Sequence, residues 1–341
     1  MSKPESARDS RTRILSLLIF AACIPQAGSL LLKVFGVCSL QAGFLLLALP
    51  GSLLVAIIYL WARKNGHEFL GHSLELGFAG GLAGTVAYDL ARIPFVMFGQ
   101  RIFAPISAYG IWLLDASFST RFTEIAGWGY HFLNGISFGI MYGLFMRGRP
   151  AYLAILWGCG LETIAFLSPF GRIFGITNNP SALAIAYFGH VMYGIPLGLM
   201  IKKDQSVLAW LKSIPAALYY FALALVGACV IGQIMLPEQV TADNTTKAGT
   251  FTVQGERLSP DWQRVTVHES PTIVNNSGQT QVVVIKKLGK EIQLTNGESK
   301  NISVPTTGIY QLFVKTSGRT VSSFLIVEPV ESEVENRRSD R

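Results

Sequence analysis

Seven stretches of the chain stay apolar long enough to cross a lipid bilayer, near 14–35, 43–62, 73–98, 124–146, 150–168, 181–201 and 207–235. A helix rising 1.5 Å per residue needs about 20 such residues to span a hydrocarbon core of about 30 Å. After Pro237 the period changes: Val, Ile and Thr alternate with polar residues, and turn signals such as Asn276-Ser277-Gly278, Asn296-Gly297 and Thr307-Gly308 separate short runs. That alternation predicts strands at 250–254, 263–268, 281–287, 291–294, 300–304, 310–315 and 322–327. The expected architecture is an all-α bundle of about seven membrane helices over 1–236, a small all-β sandwich over 237–327 and a charged, disordered tail over 328–341.

Composition agrees with a lipid environment. Half of the 341 residues are hydrophobic and 14% are charged, against about a quarter charged in an average soluble domain. The net charge of +7 lies wholly in the first part: residues 1–236 hold 16 Lys/Arg and 9 Asp/Glu, whereas 237–341 hold 12 of each. Lys3, Arg8, Arg11 and Arg13, then Arg63 and Lys64, Arg147 and Arg149, and Lys202, Lys203 and Lys212 fall on one side of the predicted membrane. Only Arg101, Arg121 and Arg172 fall in loops on the other. By the positive-inside rule the N-terminus is cytoplasmic and the β-region extracytoplasmic, so these cations belong to a membrane protein rather than to a nucleic-acid binder. Residues 1–23 share features with a signal peptide, but the apolar run from Ile14 to Leu32 is about 28 Å long and reads as a spanning helix. The segment 100–123, rich in Ile, Tyr and Trp, reads either as an amphipathic or re-entrant piece at the outer surface or as an ordinary external loop. All four cysteines lie in or beside apolar segments, with no disulfide framework and no CxxC motif.

The run from Gln281 through Gly308-Ile309-Tyr310 to Phe324-Leu325-Ile326-Val327 resembles the cupredoxin-like sandwiches, in which a closing G-x-Y strand leads into a ligand loop. A copper cupredoxin brings Cys, His and usually Met to that loop. Here Val314-Lys315-Thr316-Ser317-Gly318-Arg319 has none of them, and His268 is the sole imidazole of the β-region, so no copper centre is expected there. Immunoglobulin-like packing is the alternative.

Four ionisable residues interrupt the apolar helices: Asp89, His131, Glu162 and His190. Counted from the predicted outer ends they lie about 12, 10, 9 and 12 Å deep. An acidic residue at mid-helix costs roughly 2.5–3.5 kcal/mol, which favours their facing one another or water. His131 heads a stripe of Gly135, Gly139 and Gly143, and His190 heads Gly194 and Gly198, each after an outward helix bearing a carboxylate. The pattern reads as two parallel hairpins of one kind. Two imidazoles and two carboxylates suit a divalent or transition metal, a relayed proton or a transported cation. Arg92 and Asn134 are the supporting residues. The plain alternative has Asp89 neutralised by Arg92, His131 bonded to Asn134 and Glu162 bonded to His190, all fixing helix register.

The segment His131-Phe132-Leu133-Asn134-Gly135 with Phe138-Gly139, Tyr142-Gly143, Gly158 and Glu162 resembles a family of uncharacterised bacterial polytopic membrane proteins. The resemblance implies an inner-membrane setting and carries no activity. No G-x-x-x-x-G-K-[ST], G-x-S-x-G or H-E-x-x-H motif occurs. The expectation is therefore a protein that binds or moves a cation through the outer-leaflet cluster. The alternative is a non-catalytic scaffold or accessory subunit whose external β-domain binds a membrane or periplasmic protein; an enzyme acting on a lipid or quinone ranks third.

Overall fold

The computed structural model describes residues 10–97, 102–177, 179–203, 247–315 and 322–329. The seventh apolar stretch at 207–235, the boundary at 237 and the tail from Val330 lie outside them. Six of the seven apolar stretches are helical. They are α1 (Ser10–Val34), the run Leu40–Lys64, α4 (Glu68–Met97), α6 (Arg121–Met146), α7 (Tyr152–Leu167) and α9 (Pro180–Lys202). Leu40–Lys64 consists of α2 (Leu40–Gly43), a π turn (Phe44–Ala48) and α3 (Leu49–Lys64); α5 (Ala104–Leu113) and α8 (Pro169–Ile173) are shorter. Ser10–Val34, Leu40–Lys64 and Pro180–Lys202 are long and apolar enough to cross a membrane, and Tyr152–Leu167 is apolar but shorter. Leu46, Ile57, Leu60, Leu156 and Leu167 stand exposed on these helices. Large apolar side chains grouped on an outer face are what a bundle shows to lipid and rarely to water.

The chain divides into two compact units. The first holds residues up to Ile93 and again from Tyr130; the second combines Pro94–Gly129 with the strands.

Within the first unit, helices approach backbone to backbone at glycines. A Cβ on Gly51 of α3 would lie 2.3 Å from Ala22 O of α1, and one on Gly139 of α6 would lie 2.4 Å from Gly77 O and from Gly81 Cα of α4. On α9 a Cβ at Gly194 would come within 2.5 Å of Ile155 Cα, and one at Gly198 within 2.2 Å of Ala151 O. Each glycine stripe therefore faces the preceding long helix, α6 against α4 and α9 against α7.

In the second unit, the described residues form nine strands in two sheets. The four-stranded sheet runs β2-β1-β4-β7 and the five-stranded sheet β3-β9-β8-β5-β6. Their ranges are β1 Thr250–Gln254, β2 Arg257–Ser259, β3 Trp262–Thr266, β4 Thr272–Asn275, β5 Gln281–Ile285, β6 Lys290–Leu294, β7 Ser299–Asn301, β8 Gly308–Val314 and β9 Ser322–Glu328. Alternate residues of both sheets, including Phe251, Ile273, Val283, Tyr310 and Leu325, share one buried core, as period-2 strands require. Each sheet holds one parallel pair, β1 with β4 and β3 with β9.

Residues 115–119 extend the five-stranded sheet beyond β3. Ser119 N–H donates to Trp262 O at 3.1 Å, Arg264 N–H donates to Ser117 O at 2.7 Å, and Arg264 pairs with both Asp115 and Glu328. The edge of β3 is thereby covered. Within the same unit α5 has no exposed polar face: 106–112 are all buried. A Cβ at Gly110 would meet Thr123 O, and one at Gly127 would lie 2.1 Å from Ile106 O. The segment 100–123 thus contains a helix with no exposed face over 106–112, which is neither an amphipathic surface helix nor a plain loop.

Candidate functional site

Asp89 lies on α4, His131 on α6, Glu162 on α7 and His190 on α9. The glycine contacts that draw α6 onto α4 and α9 onto α7 bring each imidazole to the carboxylate of the preceding long helix. His131 Nε2 is 3.1 Å from both oxygens of Asp89. His190 Nδ1 is 3.4 Å from Glu162 Oε2.

The two pairs differ in how far they are satisfied. Asp89 is 4% exposed and also accepts from Arg92 Nη2 at 3.0 Å, so its charge is neutralised one helical turn away on the same face. Glu162 is 5% exposed, and its Oε1 is buried with no hydrogen-bond partner. Leaving a buried acceptor unmet costs about 1–3 kcal/mol. His190 Nδ1 is 2.9 Å from Ala186 O. A carbonyl accepts only, so the ring hydrogen of neutral His190 belongs on Nδ1, and Nε2 keeps its lone pair for a proton.

Tyr88 and Arg92 stand between the pairs. The Arg92 guanidinium lies 3.6 Å over the Tyr88 ring, whose centroid is 5.8 Å from that of His131 and 4.9 Å from that of His190. Gly189 makes the room: a Cβ there would lie 2.7 Å from the Tyr88 ring. Tyr193 Oη ties α9 to α6 by donating to Gly135 O at 2.7 Å. Asn134 is half-buried and its Oδ1 has no hydrogen-bond partner.

The four predicted residues thus meet as two pairs joined through an aromatic ring and a cation, rather than as one ligand set. Among the described residues no group of three or more His, Cys, Asp or Glu is placed to hold a metal ion. Tyr88 was not singled out from the sequence, since an aromatic residue in an apolar helix carries no signal of its own. Gly189 beside His190 is the one local hint that a neighbouring ring needs space. Compared against protein-family models the chain matches none, and no curated protein matches it.

Proposed function

We propose that this is a multi-pass membrane protein with seven spans, a cytoplasmic N-terminus and an extracytoplasmic β-sandwich, and that it binds or moves a cation through Asp89, His131, Glu162 and His190. The positive-inside pattern supports the orientation. Active alkaline phosphatase fused after Gln239 is the expected outcome, and an inactive fusion refutes the topology. For the β-region the cupredoxin-like reading is favoured over the immunoglobulin-like one, because immunoglobulin sheets are antiparallel whereas each sheet here carries a parallel pair.

The observation that carries the functional reading is the unpartnered Glu162 Oε1 beside His190, one aromatic ring away from the satisfied Asp89–His131 pair. A transition metal takes at least three protein donors in most sites. A proton needs one acceptor at a time, and two carboxylate–imidazole pairs offer alternating acceptors. The cation favoured by this geometry is therefore a proton. Metal content of detergent-purified protein, measured by plasma mass spectrometry for wild type and His131→Ala/His190→Ala after a fold check, tests the choice. Substoichiometric metal in both is expected. Near-stoichiometric metal that disappears in the variant makes the cation a metal.

One observation favours the scaffold reading: Asp89 is fully met by Arg92 and His131, as a register-fixing ion pair would be. That reading predicts co-purification of a membrane or periplasmic protein through the β-domain and indifference to Glu162→Gln.

A further inference from the structure

A second feature of the first unit lies apart from the acid–imidazole pairs: a cavity of about 620 Å³ walled by α1, α3, α4 and α6. That size falls within the range of small-molecule sites. Most of the wall is apolar, with Val55, Leu74, Phe78, Leu133, Ile136 and Ile140. Ala56 and Phe78 line it and are also exposed, both in mid-helix, so the opening is on the flank of the bundle.

The two polar ends of the cavity differ. At one end the groups satisfy each other: Tyr59 Oη donates to Glu75 Oε1 at 3.0 Å, and Arg63 Nη1 is 3.5 Å from the same oxygen. At the other end stands Gln26, 1% exposed. Its Nε2 donates to Ser52 Oγ at 2.9 Å and reaches Ala48 O at 3.3 Å, at the end of the π turn. Its Oε1 is buried and has no hydrogen-bond partner. The close backbone approach of Gly51 to Ala22 holds α1 and α3 together beside it.

A buried acceptor calls for a donor. A carboxylate or phosphate brings only acceptors, and an ammonium buried there without a counter-charge is too costly. We infer that the cavity binds a neutral lipid bearing a hydroxyl headgroup, its O–H donating to Gln26 Oε1 and its hydrocarbon chain lying along the apolar wall and leaving past Ala56 and Phe78. The inference rests on the membrane reading of these helices, since the opening then faces the bilayer. It is independent of the identity of the cation.

The full-length protein in phosphatidylcholine vesicles is photolabelled with a diazirine-bearing hexadecanol, and the adducts are mapped by mass spectrometry. Adducts are expected on the α3 and α6 wall around Val55, Leu133 and Ile136, with competition by unlabelled hexadecanol. Gln26→Leu is expected to weaken that competition roughly five-fold, the worth of one ordinary hydrogen bond. Because this variant also removes the bonds to Ser52 and Ala48, Ala79→Phe is the second: it fills the cavity from α4, leaves Gln26 intact, and should abolish labelling without lowering the melting temperature. Equal labelling by a diazirine-bearing hexadecane, adducts elsewhere only, or adducts unchanged in folded forms of both variants overturns the inference.

Discussion

Gly139→Ala isolates the packing that assembles the candidate site. The added Cβ would stand 2.4 Å from Gly81 Cα and from Gly77 O, whereas carbon atoms settle near 3.5 Å or beyond. Helix α6 must then retreat from α4 by about 1 Å, because both obstacles are backbone. Overpacking of this kind costs about 1–3 kcal/mol, and the gain of alanine over glycine in a helix returns up to about 1 kcal/mol. Gly160→Ala on α7 is the matched control, since nothing lies within 4 Å of its Cβ; it should stabilise by up to about 1 kcal/mol. The two variants, made in the same detergent and followed by tryptophan fluorescence on heating, should differ by about 2 kcal/mol with Gly139→Ala the lower. If Gly139→Ala melts as high as Gly160→Ala, the close α4–α6 approach is wrong, and with it the geometry that brings His131 to Asp89.

Three further outcomes follow from the same reasoning. Asp89→Asn breaks a buried ion pair by removing the carboxylate that Arg92 and His131 share and should cost about 3–5 kcal/mol, whereas Glu162→Gln, which exchanges a buried carboxylate with one unmet oxygen for a neutral amide of the same shape, should melt close to wild type; the reverse order refutes the assignment of the two pairs. Arg264→Ala removes charged hydrogen bonds to Asp115 and Glu328 and should destabilise the second unit by about 2 kcal/mol, read as an earlier loss of protection on amide exchange at residues 262–266. The Glu298 carboxylate accepts from Thr295 N–H and lies beside Lys300, which holds it below the ordinary glutamate range. A lowered folded value means its contribution is complete above the unfolded value and is lost as pH falls through the folded one. Carbon NMR of labelled carboxyl groups should show it titrating below the other exposed glutamates, and titration in step with them contradicts the turn geometry.

How much was legible depended on whether the signal was local. The long apolar runs announced the helices, and alternation around Phe251 and Val253 gave β1 residue for residue. Arg257–Ser259 and Thr272–Asn275 carry little strand signal of their own, because each is short and sits against a turn signal, Pro260 for the first and Pro271 and Asn276-Ser277-Gly278 for the second. The first is a three-residue strand that folds back on β1 across Gly255-Glu256, and the second takes its strand character from parallel pairing with β1. The bonds from Ser117 and Ser119 to β3 cross more than 140 residues and leave no trace in either segment. The glycine spacing on α6 and α9 was visible, and so was the polar character of the four ionisable residues. The hairpin reading already set each histidine-bearing helix beside the carboxylate-bearing helix before it; that Tyr88 and Arg92 fill the space between the pairs is a matter of three-dimensional packing.

Cation passage is tested most directly in proteoliposomes holding a trapped pH dye, with a potassium gradient and valinomycin setting the membrane potential. The account predicts potential-driven proton entry with wild type that falls to the empty-liposome rate in Glu162→Gln and in His131→Ala/His190→Ala, both shown to be folded by their melting curves. Rates that match empty liposomes for wild type, or that survive both substitutions, contradict it.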